Sequence, residues 1–374
     1  MFATGTQHSG PGRLATDGHT FRERFESLHH LIGDTPLIEI RARWRDVECL
    51  VFAKHEAANF TGSIKDRMAL HILEQAHARG ELRPGERILE ASSGNTGIAI
   101  AGIGRALGHP VRIYMPDWMS RERLLLMSGM GAEVVGVSAE EGGFKASIEK
   151  AEAAAAEDGR GFLPRQFANR ANAEAHALTT GPEILVQMRA VGLEPAAFVA
   201  GVGTGGTVMG TGAFLRERVP GVEVHPLEPA NSPTLRTGTR VGRHRIQGIS
   251  DEFIPPIVEL DRLDGIVDVW DGDAILMAQR LAAELGLTVG ISSGANLLGA
   301  IQVAARLGDA AAVATVFPDC NRKYLSTDLC REEAPREDYL TPGVEFRGVR
   351  VLPRAGVDAI RRETGREPFP TRRS

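Results

Sequence analysis

The sequence predicts an α/β fold built from two open, twisted and mostly parallel sheets with helices on their faces. Two observations support this prediction. Short apolar runs typical of buried strands alternate with longer segments whose apolar residues recur at helical spacing, and this alternation occurs once before and once after Gln166. The chain has 374 residues, of which 43% are hydrophobic, and is therefore long enough for two modest domains.

Composition and charge exclude several classes of protein. The formal net charge of -5 argues against a nucleic-acid backbone as the main partner, because such binders usually carry a strongly basic face. Cys49, Cys320 and Cys330 are too few and too scattered for a disulfide framework or a zinc cluster, so we expect no metal and a reducing, cytoplasmic location. No apolar run approaches the roughly 18 residues of a membrane helix, and the amino end lacks the apolar core of a signal peptide, so we expect no membrane partner.

The predicted elements follow in chain order. Residues 1–22 are expected to form a disordered extension, with the fold beginning near Phe25. The first series contains strands within residues 30–40 and at 50–56, 88–91, 111–116 and 133–137, and helices at 68–73, 95–107, 120–130 and 146–157. The second series contains helices at 183–191, 206–218, 273–285 and 295–307, and strands at 196–200, 222–229, 266–269 and 311–317. A long loop at 230–256 interrupts it, and the tail beyond Tyr339 carries eight arginines and one predicted strand at 344–352.

The segment Asn59-Phe60-Thr61-Gly62-Ser63-Ile64-Lys65-Asp66-Arg67 joins the strand at 50–56 to a helix and places Lys65 in the first turn of that helix. The amino end of a helix disfavours cations, and low-dielectric surroundings disfavour an ammonium as well. Both effects make the amine more easily neutral and nucleophilic, as a lysine that bonds covalently to a carbonyl compound must be. Taken alone, such a lysine is more often an ordinary surface residue, so the interpretation depends on the motifs that follow it.

Three further motifs lie where a predicted strand meets a helix, which is where ligands of open α/β sheets bind. The first, Ser92-Ser93-Gly94-Asn95-Thr96-Gly97, offers hydroxyls, an amide and free backbone N–H groups. This combination suits a carboxylate, although the same residue types also form an ordinary helix cap. Gln166 supplies another amide at a neighbouring junction.

The second motif is Gly201-Val202-Gly203-Thr204-Gly205-Gly206-Thr207. No lysine follows its glycines, so it is not a nucleotide P-loop, and its spacing differs from the dinucleotide fingerprint. It suits a terminal monophosphate bound by amides and hydroxyls without a counter-cation. The third motif, Gly290-Ile291-Ser292-Ser293-Gly294-Ala295, offers a serine hydroxyl to a heteroaromatic nitrogen, with a pair of capping serines as the alternative interpretation.

Taken together, these ordered motifs resemble those of the cysteine synthase family of fold-type II pyridoxal-phosphate enzymes. The resemblance is carried by the lysine motif at residues 61–67, the loop 92–97, the glycine-rich loop 203–207 and the serine segment 290–295. Residues 179–184, 246–250 and 324–327, together with Asp319, are similar too, and the whole resemblance covers about residues 31–327.

The resemblance implies a tryptophan synthase β-like architecture with the cofactor held between two domains. The implied large domain consists of residues 23–61 and 168–340, the small, substrate-closing domain consists of residues 62–167, and an arginine-rich tail follows at 341–374.

Carried over position by position, the resemblance implies pyridoxal 5'-phosphate as the cofactor and Lys65 as its covalent attachment point and the catalytic base. It places the phosphate on Gly203, Thr204, Gly205, Gly206 and Thr207. Asn95 would meet the phenolic oxygen of the ring and Ser292 its pyridine nitrogen. The carboxylate of the amino-acid substrate is expected on Ser92, Ser93, Gly94, Thr96 and Gln166.

The implied reaction is β-replacement on an activated L-serine, either O-acetyl-L-serine or O-phospho-L-serine, by sulfide or thiosulfate, giving L-cysteine or S-sulfocysteine. The expected partners are therefore a small amino-acid substrate and a sulfur donor, and the expected assembly is a homodimer. A cystathionine β-synthase-like replacement, or β-elimination by a desulfhydrase or dehydratase on the same fold, remains an alternative.

Some positions depart from the family pattern. Thr61 and Arg170 stand where the family usually has proline. The loop at residues 235–245 holds more arginine than plain cysteine synthases do, at Arg236, Arg240, Arg243 and Arg245. Such a cluster predicts a preference for a phosphoester or an anionic acceptor, with solvated arginines or contacts across a dimer interface as the alternative.

Overall fold

The computed structural model describes residues 20–365 and shows an α/β fold with two separate sheets. The strands, in chain order, are β1 (Leu37–Trp44), β2 (Val47–His55), β3 (Ile88–Ala91), β4 (Val111–Pro116), β5 (Glu133–Val137), β6 (Ala197–Gly201), β7 (Glu223–Pro229), β8 (Val267–Val269), β9 (Ala312–Phe317) and β10 (Val344–Leu352). Within the described residues, the large sheet has the order β10-β1-β2-β9-β6-β7-β8 and the small sheet the order β3-β4-β5. All pairs from β2 to β8 in the large sheet, and both pairs of the small sheet, are parallel, which confirms the predicted fold class.

The helices that cover these sheets are α1 (Phe21–His29), α2 (Lys65–Arg79), α3 (Asn95–Ala106), α4 (Arg121–Gly129), α5 (Gly143–Asp158), α6 (Ala171–Leu178), α7 (Thr180–Arg189), α8 (Gly206–Arg218), α9 (Thr234–Thr237), α10 (Asp271–Leu285), α11 (Ile291–Leu307) and α12 (Val357–Thr364). No helix within residues 20–365 is long and apolar enough to cross a membrane.

The cores follow from the alternation of side chains along the strands. In β1, Ile38 and Ile40 contribute to a core shared with α10 and α11, whereas Leu37 contributes to the core on the opposite face with α7 and α8. The small sheet is covered in the same way, by α1 to α4 on one face and by α5 on the other. Strand-to-helix junctions from both sheets can therefore meet at the cleft between them.

Two antiparallel pairs close one edge of the large sheet. β1 and β2 are joined by Arg45 and Asp46, both with positive φ (50° and 63°), as a two-residue hairpin turn requires. β10 pairs with β1 along its length and occupies the residues at which the sequence predicted a strand in the arginine-rich tail.

The structure differs from the sequence predictions at four helices. α1 begins at Phe21, inside the range 1–22 that we expected to be a disordered extension, because Thr20 and Glu23 form a reciprocal capping box. The rest of that range, residues 1–19, lies outside the described residues. α6, α9 and α12 were not predicted, because the sequence indicated no element at residues 171–178, a loop at 230–256 and, in the tail, only the strand at 344–352. The small-sheet strands all lie within residues 62–167, and the domain boundaries themselves stay a prediction.

A buried ionic network fixes α2 against the large sheet. The Arg67 guanidinium donates to Glu56 (Nε to Oε2, 2.6 Å) and to Glu183 (Nη1 to Oε1, 2.6 Å), and Lys54 Nζ lies 2.8 Å from Glu183 Oε2. All four side chains are at most 1% exposed, and the two cations balance the two carboxylates. Because Arg67 lies two residues after Lys65, the network holds the start of α2 in a defined position.

Replacing Glu183 by Gln should remove one of these charges and leave two buried cations facing a single carboxylate. Breaking a buried ion pair in this way costs about 3–5 kcal/mol of unfolding free energy. Equilibrium unfolding in urea measures the loss. Glu141→Gln, at an exposed pair with Lys150, is the matched control and should leave the free energy of unfolding nearly unchanged. Equal effects of the two substitutions would contradict the structural role of the network.

Candidate active site

A cavity of about 400 Å³ opens between the two sheets, and each predicted motif contributes to its wall. The predicted site residues that line it are Lys65, Ser92, Ser93, Gly94, Asn95, Thr96, Gln166, Gly203, Thr204, Gly205, Thr207 and Ser292. Gly206, the remaining predicted residue, is the first residue of α8 and follows this wall directly in the chain. The structure thus brings together segments that lie up to about 230 residues apart in the sequence.

Lys65 is the first residue of α2, as predicted. The turn before it is closed by Asp66, whose carboxylate accepts hydrogen bonds from the backbone N–H (2.6 Å) and the hydroxyl of Thr61. Burial lowers the pKa of Lys65, while Asp319 and then Asp251 act in the opposite direction. The amine is therefore more easily neutral than an exposed lysine, which is what a nucleophile or a general base at this position needs.

The loop 92–97 is held by its own hydroxyls. Ser92 Oγ accepts from the backbone N–H of Gly94 (3.2 Å) and of Gly97 (2.8 Å) and so caps the start of α3. Thr96 Oγ1 donates to Gln166 Oε1 (2.6 Å), and Gln166 Nε2 donates to the carbonyl of Ala91 (2.7 Å). The hydroxyls and amides proposed for a carboxylate are thereby fixed in one wall of the cavity.

The glycine-rich loop forms a close-fitting cradle. A Cβ on Gly203 would lie 2.3 Å from the carbonyl oxygen of Gly248, and Gly205 has a φ of +87°, which favours glycine. Asn172 Nδ2 donates to Thr204 Oγ1 (2.9 Å), which leaves the hydroxyl hydrogen of Thr204 available for a ligand. The cradle ends at the amino end of α8, whose first turn carries no acidic residue. Such a donor set suits a terminal phosphate.

The histidine beside this cradle, His176, is not a cation. His176 Nε2 lies 3.4 Å from Thr207 Oγ1, and burial lowers the pKa of His176 well below its usual range. The imidazole is therefore neutral. This agrees with the sequence-based expectation of a phosphate held by amides and hydroxyls.

Ser292 lies in the first turn of α11, buried at the cavity wall. Its neighbour Ser293 has a buried hydroxyl oxygen that finds no partner among the described residues. A Cβ on Gly290 would lie 2.1 Å from Asp319 Oδ1, so the backbone of this segment packs closely against that carboxylate.

Sequence reasoning assigned no role to several charged residues around the cavity. Asp251 and Arg123 line the cavity, whereas Asp319 and Lys323 contact Asn95. Burial raises the pKa of Asp251 to about 6, so this carboxyl can take up or release a proton near neutral pH. Asp319 belongs to a segment of family resemblance, but no local pattern distinguished the other three.

The arginine-rich loop is largely neutralised. Arg245 forms ion pairs with Asp271 and Glu333, and Arg236 forms one with Asp268 (2.7 Å). Arg240 and Arg245 line the cavity, and the nearest carboxylate of Arg240, on Glu252, is 3.7 Å away. These ion pairs reduce the charge available to a dianion, and the predicted preference for a phosphoester now depends mainly on Arg240.

Several known proteins are similar to this chain. Residues 28–319 match the family model described as pyridoxal-phosphate dependent enzyme. A probable cysteine synthase of Bacillus subtilis (strain 168) is 44% identical over 299 residues, which is 80% of this chain and 96% of that protein. A hydrogen sulfide-producing enzyme from Fusobacterium nucleatum is 50% identical with a TM-score of 0.86, covering 89% of this chain and 99% of the other. O-ureido-L-serine synthase is 35% identical with a TM-score of 0.76, covering 83% and 96%.

Gly203→Ala tests the cradle. The added methyl group would displace the backbone from the carbonyl of Gly248 and remove hydrogen bonds to a charged ligand, each worth about 1.5–3 kcal/mol, or roughly a ten- to hundredfold loss of affinity. Titration with pyridoxal phosphate and with pyridoxal, which lacks the phosphate, should show the loss for the phosphorylated ligand only. Gly129→Ala, at a position with open space, is the control. Equal losses for both ligands would contradict the assignment.

Proposed function

This chain belongs to the cysteine synthase family of pyridoxal-phosphate dependent enzymes, and on that premise we propose that it catalyses β-replacement on O-acetyl-L-serine or O-phospho-L-serine by sulfide or thiosulfate. The products would be L-cysteine or S-sulfocysteine. The observation that carries the proposal is the cavity, in which Lys65 shares one wall with a hydroxyl-rich loop and a cradle of neutral donors.

The residues present fit the cofactor of this family. Gly203, Thr204, Gly205, Gly206 and Thr207 would hold its phosphate through backbone N–H groups and hydroxyls, and Ser292 would accompany its pyridine nitrogen. When bound, the cofactor supplies an electron sink for the pair left behind when the α-proton of the substrate is removed. A neutral hydroxyl beside the nitrogen, instead of a carboxylate, favours expulsion of a β-substituent over transamination.

Lys65 would perform the proton transfers. Its Nζ atom would remove the α-proton as a general base and return it after the nucleophile has added. Burial lowers the pKa of Lys65 and so favours the neutral, basic form. The substrate carboxylate would be held by Ser92, Ser93, Gly94, Thr96 and Gln166, whose fixed hydroxyls and amides orient the α-proton toward Lys65.

Product analysis tests the proposal. The purified enzyme should convert at least one of the two esters to L-cysteine with sulfide or to S-sulfocysteine with thiosulfate, with ping-pong kinetics. Lys65→Ala should abolish turnover, because no other group can replace its proton transfers at a useful rate. Homocysteine as a competing acceptor tests the cystathionine alternative. Formation of pyruvate from both esters, unaffected by added sulfide or thiosulfate, would overturn the proposal in favour of elimination.

A second candidate function is release of sulfide from L-cysteine by β-elimination, in which Lys65 would take the α-proton, sulfide would leave with the C–S bonding electrons, and hydrolysis of the remainder would give pyruvate and ammonia. Two observations favour it: the hydrogen sulfide-producing enzyme from Fusobacterium nucleatum is 50% identical to this chain, and the Asp251 carboxyl lies in the cavity wall. Acetate and phosphate leave readily as anions, whereas a departing thiolate gains from a nearby acid. Asp251, with its pKa raised by burial to about 6, can act as that acid.

Asp251→Asn separates the two activities. It should slow sulfide release from L-cysteine by about a hundredfold, the usual contribution of a general acid, and slow ester-driven synthesis much less. In the wild type, sulfide release should fall relative to synthesis as the pH rises through about 6, because the acid loses its proton, and the variant should lack this step. Parallel losses in both reactions would assign Asp251 a structural role instead.

The homodimer and the cytoplasmic location stay predictions.

A further inference from the structure

A second buried lysine lies close to the proposed cofactor site. The chain has 43 basic residues, of which five are lysines, at positions 54, 65, 145, 150 and 323. Lys145 and Lys150 lie on the outer side of α5, but Lys323 is 3% exposed. Lysine is a compact point charge with three donors and is not interchangeable with the planar fork of arginine. A buried lysine in a chain that otherwise favours arginine indicates a specific requirement.

Lys323 makes two hydrogen bonds in this environment. Its Nζ donates to Asn95 Oδ1 (2.8 Å) and to the carbonyl of Gly62 (3.2 Å), in the turn that precedes Lys65. The opposite end of the same amide is also held, because Asn95 Nδ2 donates to Asp319 Oδ2 (2.7 Å). Tyr324 donates its hydroxyl to that carboxylate oxygen as well (2.7 Å).

These partners define how the Asn95 amide is oriented. An ammonium can only donate and an ionised carboxylate can only accept, so the oxygen of the amide must face Lys323 and its nitrogen must face Asp319. One N–H of the amide is used by Asp319, and the second remains for a ligand of the cavity. The ammonium beside the amide oxygen also polarises the group and strengthens its remaining N–H as a donor.

The charges of Lys323 and Asp319 depend on each other. Asp319 is fully buried, and its Oδ1 finds no hydrogen-bond partner in the described part of the chain. Burial lowers the pKa of Lys323, and Asp319 is the foremost charge that acts in the opposite direction and favours its protonated form. Loss of Lys323 would therefore remove the hydrogen bond to the oxygen of the Asn95 amide and leave that amide held only through Asp319.

We propose that Lys323 is a positioning residue which, together with Asp319, orients and polarises Asn95 so that the amide N–H binds the phenolic oxygen of the cofactor. Lys323 does not itself line the cavity, so its effect passes through Asn95. The inference rests on the proposed role of Asn95, and it concerns cofactor binding rather than the identity of the substrate.

A double-mutant cycle on cofactor binding tests this inference without any serine ester. The apoproteins of the wild type, Lys323→Met, Asn95→Ala and the double variant are titrated with pyridoxal phosphate, and the dissociation constant and the visible absorption maximum are recorded. Lys323→Met should weaken binding about tenfold, the value of one charge-assisted hydrogen bond, and shift the absorption maximum. In the Asn95→Ala background the same substitution should have less than about a twofold effect.

The controls separate positioning from general stability. Lys323→Arg keeps the charge and a donor and should recover part of the affinity, whereas Lys150→Met removes a surface ammonium and should change neither readout. Lys323→Gln is made alongside, so that the test does not depend on the folding of the Met variant. Equal tenfold losses in both backgrounds, or wild-type affinity and spectrum in Lys323→Met and Lys323→Gln, would overturn the inference. Wild-type affinity in Asn95→Ala would overturn the role of Asn95 itself, while the β-replacement assay would be unaffected.

Discussion

The placement of the active site depends on the buried guanidinium of Arg67. Its bonds to Glu56 and Glu183 join α2 to the end of β2 and to α7, and they pair charges that would be costly to leave unpaired away from water. Removal of any one member would leave an uncompensated buried charge, so the four groups stabilise a single arrangement. Lys65 begins the same helix, and its position relative to the large sheet is consequently fixed before any ligand binds.

The cavity above this network has a different electrostatic character. The proposed phosphate cradle consists of backbone amides and hydroxyls, with His176 neutral, while the loop arginines are mostly paired with carboxylates. Of the cationic groups, Arg123 and Arg240 line the cavity and the Lys323 ammonium contacts Asn95, whereas burial favours the neutral form of Lys65. This distribution of charge suits a reaction that depends on proton transfer by one amine. It is less suited to the binding of a highly charged substrate.

Much of the fold and of the site could be predicted from the sequence because the signals are local. Strand-to-helix junctions with Gly, Ser and Thr identify where ligands bind, and the structure places all of them around one cavity. Contacts between distant residues could not be predicted: Asn95 meets Asp319 224 residues further along the chain, and no pattern near Arg245 indicates that Glu333 neutralises it. The start of α1 was different, because the capping box of Thr20 and Glu23 was present in the sequence and was overlooked.

We propose that Lys65 carries the cofactor, and chemical mapping tests this role most directly. Reduction of the holoenzyme with borohydride makes the link permanent, and proteolysis with mass spectrometry then identifies the modified lysine. The chain has five lysines, and Lys54 and Lys323 are buried as well, so the experiment discriminates between real alternatives. The account predicts modification of the peptide that contains Lys65. Modification at Lys54 or Lys323 would contradict it.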